Sequence, residues 1–222
     1  MVARSDLPPP PSLAEIAAAA GVRDRRLLAA MRALPRAGFV PPDRVGSAEL
    51  DVPIPIGHGQ VTTQPSLVAA MIEALALAGG ENVLEVGTGH GYQTALLARL
   101  ARRVWSVEWW PDLAEAARAN LAAAGIANAE VVTGDGSLGL PERAPFDAVL
   151  VSAAFPRVPP PLAEQLAPHG RLVQPVGPGG EEEVTLFVSV EGRLRRLRSI
   201  AYAHFVPLVG RHGYGRPSGR ER

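Results

Sequence analysis

Residues 82–92 read Asn82-Val83-Leu84-Glu85-Val86-Gly87-Thr88-Gly89-His90-Gly91-Tyr92. An apolar run ends at Glu85-Val86, a glycine-dense turn follows, and Gln93-Thr94-Ala95-Leu96-Leu97-Ala98-Arg99-Leu100 continues with helical spacing. The order is strand, tight loop, helix. Glycine lets the backbone turn sharply and lets a ligand approach it closely. The helix start adds unpaired N–H groups. Such a loop is suited to hold a nucleoside cofactor.

The glycine spacing narrows the cofactor. A dinucleotide loop, G-x-G-x-x-G, has its third glycine three positions after the second. Here that position is the bulky Tyr92, and the glycines fall at Gly87, Gly89 and Gly91. The pattern E-x-G-x-G-x-G resembles that of S-adenosylmethionine (AdoMet) methyltransferases, whose cofactor has no phosphate to cradle. Glu85, Gly87, Thr88, Gly89, Gly91 and Gln93 are therefore candidate cofactor residues. The bland alternative is a glycine turn that binds nothing.

Two further loops support the cofactor reading. Arg103-Val104-Trp105-Ser106-Val107-Glu108 reads as a second strand ending in an acid, about 20 residues beyond the glycine loop. A carboxylate there can accept from both ribose hydroxyls, and Trp109 can cover an adenine face. The third strand, 130–133, runs into Gly134-Asp135-Gly136. Asp135 can accept from an adenine amino group, with Gly136 offering backbone N–H. The competing readings are a solvated strand end for Glu108 and an ordinary turn aspartate for Asp135.

Upstream, Ile54-Pro55-Ile56-Gly57-His58-Gly59-Gln60-Val61-Thr62-Thr63-Gln64-Pro65 is too rich in Gly and Pro for a regular element. A helix over 66–77 follows, with Pro65 suited to its first turn. From these residues alone, Thr62 or Thr63 reads as a helix cap. Further upstream, Ser12 and Glu15 have capping-box spacing. Short helices are predicted over 13–20 and 24–33, broken at Gly21, and then prolines stiffen an N-terminal flap.

Bulk properties exclude several classes. The 222 residues are 47% hydrophobic, enough for an α/β domain with a real core. Formal net charge is zero, so no nucleic-acid partner is indicated. There is no cysteine, which removes disulfides, zinc-thiolate sites and cysteine nucleophiles. All 22 basic residues are arginine, which removes lysine Schiff bases. His58, His90, His169, His204 and His212 show no metal-ligand spacing. With no leader and no membrane-length apolar run, the reading is a cytoplasmic protein without metal or membrane partner.

Strands and helices alternate, with further strands at Phe146–Val151 and over 171–176, and an antiparallel pair over 185–190 and 200–205. The expected fold is a doubly wound, mostly parallel seven-stranded α/β sheet with an N-terminal helical flap. One domain is expected over 1–222: flap 1–60, core 61–210 and a frayed Gly/Arg-rich tail 211–222. The ligand belongs outside the carboxyl ends of the strands, where Glu85 to Gly91, Glu108 and Gly134 to Gly136 converge.

The acceptor is suggested by a closer likeness. After the fourth strand, Val151-Ser152-Ala153-Ala154-Phe155-Pro156 lacks the D/N-P-P-Y of amino methyltransferases acting on bases. Leu34-Pro35-Arg36, Ile54 to Gln60, Thr63-Gln64-Pro65, Val83 to Gly89, Gly91 to Ala95, Ser106-Val107-Glu108, Gly134-Asp135-Gly136, Pro175-Val176-Gly177 and Phe205-Val206-Pro207-Leu208 run in order over about 30 to 210. In this the chain resembles the protein-L-isoaspartate (D-aspartate) O-methyltransferase family. The resemblance implies the class I AdoMet methyltransferase fold. It implies methylation of the free carboxylate of isoaspartyl and D-aspartyl residues in damaged proteins and peptides, as a repair step.

It also implies roles. The family's active-site hydroxyl, usually serine, falls on Thr63, with Thr62 and Gln64 beside the cofactor. Ile56, Gly57, His58, Val206, Pro207 and Leu208 fall on the peptide site. Two other readings stay open: an enzyme that esterifies one aspartate in a dedicated peptide, and a non-catalytic AdoMet-binding module.

Overall fold

The computed structural model describes residues 10–215. The helix α1, Leu13–Ala19, starts with the expected capping box: Ser12 accepts from the Glu15 N–H and Glu15 returns to the Ser12 N–H at 2.8 Å. The second helix, α2, is Arg25–Ala33, capped by Asp24. Their apolar faces, including Leu13, Ala17, Leu27 and Met31, share one buried cluster with Val68, Ile72, Leu96 and Leu100. The helical part of the flap is thus packed into the main core.

The Gly/Pro-rich stretch departs from expectation. Pro55–Gly57 (β1) and Gln60–Val61 (β2) form a small antiparallel hairpin. Its tip is Gly57-His58-Gly59, all at positive φ (101°, 51° and 68°). Two glycines make such a tip accessible; His58 adopts φ 51° without that freedom. The next helix, α3, is Pro65–Ala74, with Pro65 in its first turn, so it starts one residue earlier and ends three earlier than expected.

The remaining elements are β3 (Asn82–Val86), α4 (Tyr92–Leu100), β4 (Arg103–Glu108), α5 (Pro111–Ala123), β5 (Ala129–Thr133), β6 (Phe146–Val151), α6 (Pro160–Glu164), β7 (Leu166–Val176), β8 (Glu182–Val190) and β9 (Arg193–Ala203). They form the expected seven-stranded sheet, in the order β5-β4-β3-β6-β7-β8-β9. The pairs β5-β4, β4-β3, β3-β6 and β6-β7 are parallel, and β8 and β9 close the sheet antiparallel. The antiparallel strands are longer than expected. The first half of β9, with exposed residues at 195–198, carries no alternating apolar signal, and the turn residues Glu191 (φ 51°) and Gly192 (φ 72°) confine the reversal to two residues.

The chain turns from one side of β3 to the other between β5 and β6. The carboxyl ends of β3, β4 and β6 therefore flank one crevice. Val83, Leu84 and Val86 on β3 are buried, as expected of a central strand covered on both faces.

The expected fraying beyond residue 210 does not hold for 211–215. Arg211 N–H donates to Asp135 Oδ2 at 2.7 Å, His212 N–H to Ser137 Oγ at 2.9 Å and Tyr214 N–H to Leu208 O at 2.7 Å. The Tyr214 ring packs edge-on against Phe155. The rest of that segment, 216–222, lies outside the described residues.

Candidate cofactor and active site

The crevice opens into a cleft of about 910 Å³, a volume that includes open solvent at its mouth. The glycine loop, the β4 end and the β1–β2 hairpin all line it, together with residues 206–209. The segment Val206-Pro207-Leu208 is held there by Ala154: the Ala154 N–H donates to Val206 O and the Leu208 N–H to Ala154 O, both at 2.8 Å.

Glu108 ends β4 at the cleft wall and is 5% exposed. Its Oε2 accepts from the Gly89 N–H at 2.8 Å and its Oε1 from the Trp110 N–H at 3.0 Å. Both oxygens are thus oriented, and each keeps a lone pair for a further donor. Burial raises its pKa, while these backbone bonds oppose the rise. Trp109 also lines the cleft, as do Thr88, Gly89, Gly87 and Gly136. A Cβ on Gly136 would collide with the Val86 side chain, so only glycine fits there.

Four expected cofactor contacts are indirect. Glu85 is fully buried behind the loop and does not line the cleft. Its Oε2 accepts from Thr94 Oγ1 and Ser106 Oγ, each at 2.5 Å, and its Oε1 from Gln93 Nε2 at 2.8 Å. Burial pushes its pKa up to about 7 against these three bonds. It orients Gln93, which does line the cleft and also donates to Ser152 Oγ at 2.8 Å.

Gly91, at φ 92°, is the N-cap of α4 and faces Leu121 and Ala117; its role is backbone geometry and helix packing. Asp135 is turned away: its Oδ1 accepts from the Ser137 N–H and Oγ, and its Oδ2 from Arg211. Asp135 does not line the cleft, and its carboxylate ties down the segment at Arg211. Gln64 donates to Asp51 Oδ2 at 2.8 Å and lies outside the cleft.

The two threonines differ. Thr62 Oγ1 accepts from Arg36 Nη2 at 2.7 Å and from the Ile54 N–H at 3.1 Å. Arg36, 1% exposed, also donates to the carbonyls of Leu50 and Val52, so Thr62 sits in the anchor of the flap. Both threonines line the cleft, but only the Thr63 hydroxyl has no protein partner among the described residues. Neither threonine caps α3. Asp51 does so from outside, accepting from the Ser66 N–H at 2.8 Å.

On the expected peptide side, Ile56, Val206, Pro207 and Leu208 line the cleft, but Gly57 and His58 do not. Phe39, Tyr92, Trp110 and Ser152 line it without having been singled out. Ser152 had a signal, as the first residue beyond the β6 end. The others are apolar or aromatic residues whose role depends on distant packing.

Three buried polar atoms of lining residues, Gln93 Oε1, His90 Nδ1 and Tyr92 Oη, have no protein partner. With Glu108 and the aromatic walls, they give the cleft acceptors placed for a nucleoside carrying an amino-acid tail, and the donor set of AdoMet fits it. Among the described residues, no group of three metal-ligating side chains occurs, and no helix is long and apolar enough to cross a membrane.

Residues 12–213 match the family model of protein-L-isoaspartate(D-aspartate) O-methyltransferase. A protein-L-isoaspartate O-methyltransferase of Anaeromyxobacter dehalogenans is 55% identical over 200 residues, covering 89% of this chain and 95% of that one. The one from Methanoculleus marisnigri is 50% identical, with 88% and 89% covered. A solved structure of a protein-L-isoaspartate O-methyltransferase superposes with a TM-score of 0.76 at 29% identity, covering 87% of this chain and 64% of that chain.

Proposed function

This chain belongs to the protein-L-isoaspartate(D-aspartate) O-methyltransferase family, and we propose on that premise that it methylates the free carboxylate of isoaspartyl and D-aspartyl residues in damaged proteins and peptides. The methyl donor in this reading is AdoMet. One observation carries it: a hydroxyl without a protein partner, on Thr63, shares a single cleft with the oriented carboxylate of Glu108.

Each group has a task. Glu108 accepts from the ribose hydroxyls, Gln93 and His90 offer acceptors to the polar groups of the donor, and Trp109 covers its ring. When bound, AdoMet supplies an electrophilic methyl group on a sulfonium centre. The acceptor carboxylate has an ordinary pKa near 4, so it is already ionised at neutral pH and no residue need remove a proton. Thr63 donates one hydrogen bond that aims it, and Ile56, Phe39 and Leu208 exclude water around it. The ester formed is an activated acyl group that can close to a succinimide, whose hydrolysis returns some normal aspartate.

The test is methanol release from an isoaspartyl hexapeptide incubated with enzyme and AdoMet. Release that requires both AdoMet and folded enzyme supports the reading. AdoMet binding by calorimetry with no release would leave only a binding module.

A further inference from the structure

The β1–β2 hairpin and the two residues after it supply Ile56, Gln60, Val61, Thr62 and Thr63 to the wall of the cleft. Its base is fixed twice. Arg36 ties Thr62 to the carbonyls of Leu50 and Val52, and Asp51 ties that same segment to Gln64 and Ser66. Its tip is fixed differently. His58 Nε2 lies 2.8 Å from Asp112 Oδ2 and 3.0 Å from Oδ1, at the start of α5. The His58 ring stacks on Trp110 with centroids 4.0 Å apart and planes 6° from parallel. Among the described residues, no other hydrogen bond joins residues 54–63 to the strand-end rim.

We infer that His58, Trp110 and Asp112 form a latch that holds the hairpin over the cofactor and sets how fast cofactor enters and leaves. This rests on the reading of the cleft as the AdoMet site. The catch is a partly exposed ion pair plus one aromatic stack, both modest interactions. A catch of that strength suits repeated opening. Gly57 and Gly59 have open space around them, with nothing within 4 Å of a Cβ built on either, so His58 is the tip residue that holds the hairpin down. Trp110 also lines the cleft, so the latch borders the proposed cofactor site directly. His58 thereby acts through Trp110 and the hairpin rather than by touching substrate.

A latch must open for passage in either direction. Its removal therefore raises the association and dissociation rates together, whereas loss of a direct contact raises dissociation alone. The experiment is stopped-flow binding of S-adenosylhomocysteine (AdoHcy) to wild type, His58→Ala, Asp112→Ala, the double variant and His58→Tyr. We expect both rates to rise about tenfold in His58→Ala, with no further rise in the double variant. His58→Tyr, which keeps the stack, should recover part of the slow exchange. Unchanged rates in His58→Ala and Asp112→Ala, or a rise in dissociation alone, would overturn the latch while leaving the cleft assignment intact. Failure of the wild type to bind AdoHcy at all would overturn both.

Discussion

Asp51 caps helix α3 from outside the chain segment that leads into it: its Oδ1 accepts from the Ser66 N–H at 2.8 Å and its Oδ2 from Ser66 Oγ at 2.7 Å. The capping duty that local sequence assigns to Thr62 or Thr63 is thereby discharged elsewhere. Thr62 serves Arg36, and Thr63 faces the cleft.

Asp51→Ala should therefore lower stability by about 1 kcal/mol, the usual worth of a lost cap. Thermal unfolding measures it. Thr63→Val, of nearly the same shape as wild type, should leave the melting temperature almost unchanged. The reverse ranking of the two variants would return Thr63 to a structural role.

Thr63→Ser should keep substantial turnover, because the hydroxyl survives. Thr63→Val should lower turnover per folded molecule and leave AdoMet affinity close to wild type. Initial rates at saturating peptide, paired with AdoMet calorimetry, separate the two effects. Full turnover in Thr63→Val would remove the hydroxyl from the mechanism.

Loss of the Glu108 carboxylate should weaken AdoMet binding by about 1.5–3 kcal/mol, the range for a hydrogen bond to a charged group. Glu108→Ala is the variant and calorimetry the measurement. Burial raises the Glu108 pKa, so in the wild type AdoMet binding should begin to weaken on acidification at a higher pH than an ordinary glutamate would cause. Equal affinity in Glu108→Ala would show that the ribose is held by other groups. Neither protein should bind NAD or NADP.

Glu85 makes stability depend on pH. Its folded pKa, pushed from 4.5 to about 7, lies above the unfolded value. The folded state holds the proton more tightly, so this contribution is fully present below about 4.5 and is lost as pH rises through about 7. The unfolding free energy of wild type relative to Glu85→Gln should fall by about 3 kcal/mol from acid to alkaline pH. Urea melts of both proteins across that window give the difference, and a constant difference would mean that Glu85 titrates normally.

The sheet and the cofactor side of the cleft are legible in the sequence because their signals are local. The Gly87–Gly89 spacing, Glu108 at a strand end and the apolar runs of β3, β4 and β6 all declare themselves within a few residues. What the sequence hides depends on distant partners. The fate of Asp135 is decided by Arg211, 76 residues later. His58 finds Asp112 across 54 residues, and so leaves the peptide site for the hairpin latch. The hairpin itself is masked by the positive-φ run Gly57-His58-Gly59, which interrupts any strand period. Glu85 heads the recognised motif, yet its carboxylate is spent on Gln93, Thr94 and Ser106, which only packing reveals.

The central claim is selectivity for the damaged linkage. Two hexapeptides of one sequence, differing only in whether the acidic residue is linked through its side-chain or its α-carbonyl, are each incubated with enzyme and labelled AdoMet, and released methanol is counted. The account predicts release from the isoaspartyl peptide and at most a background level from the aspartyl one. Equal release from both would contradict it and mark a general carboxyl methyltransferase.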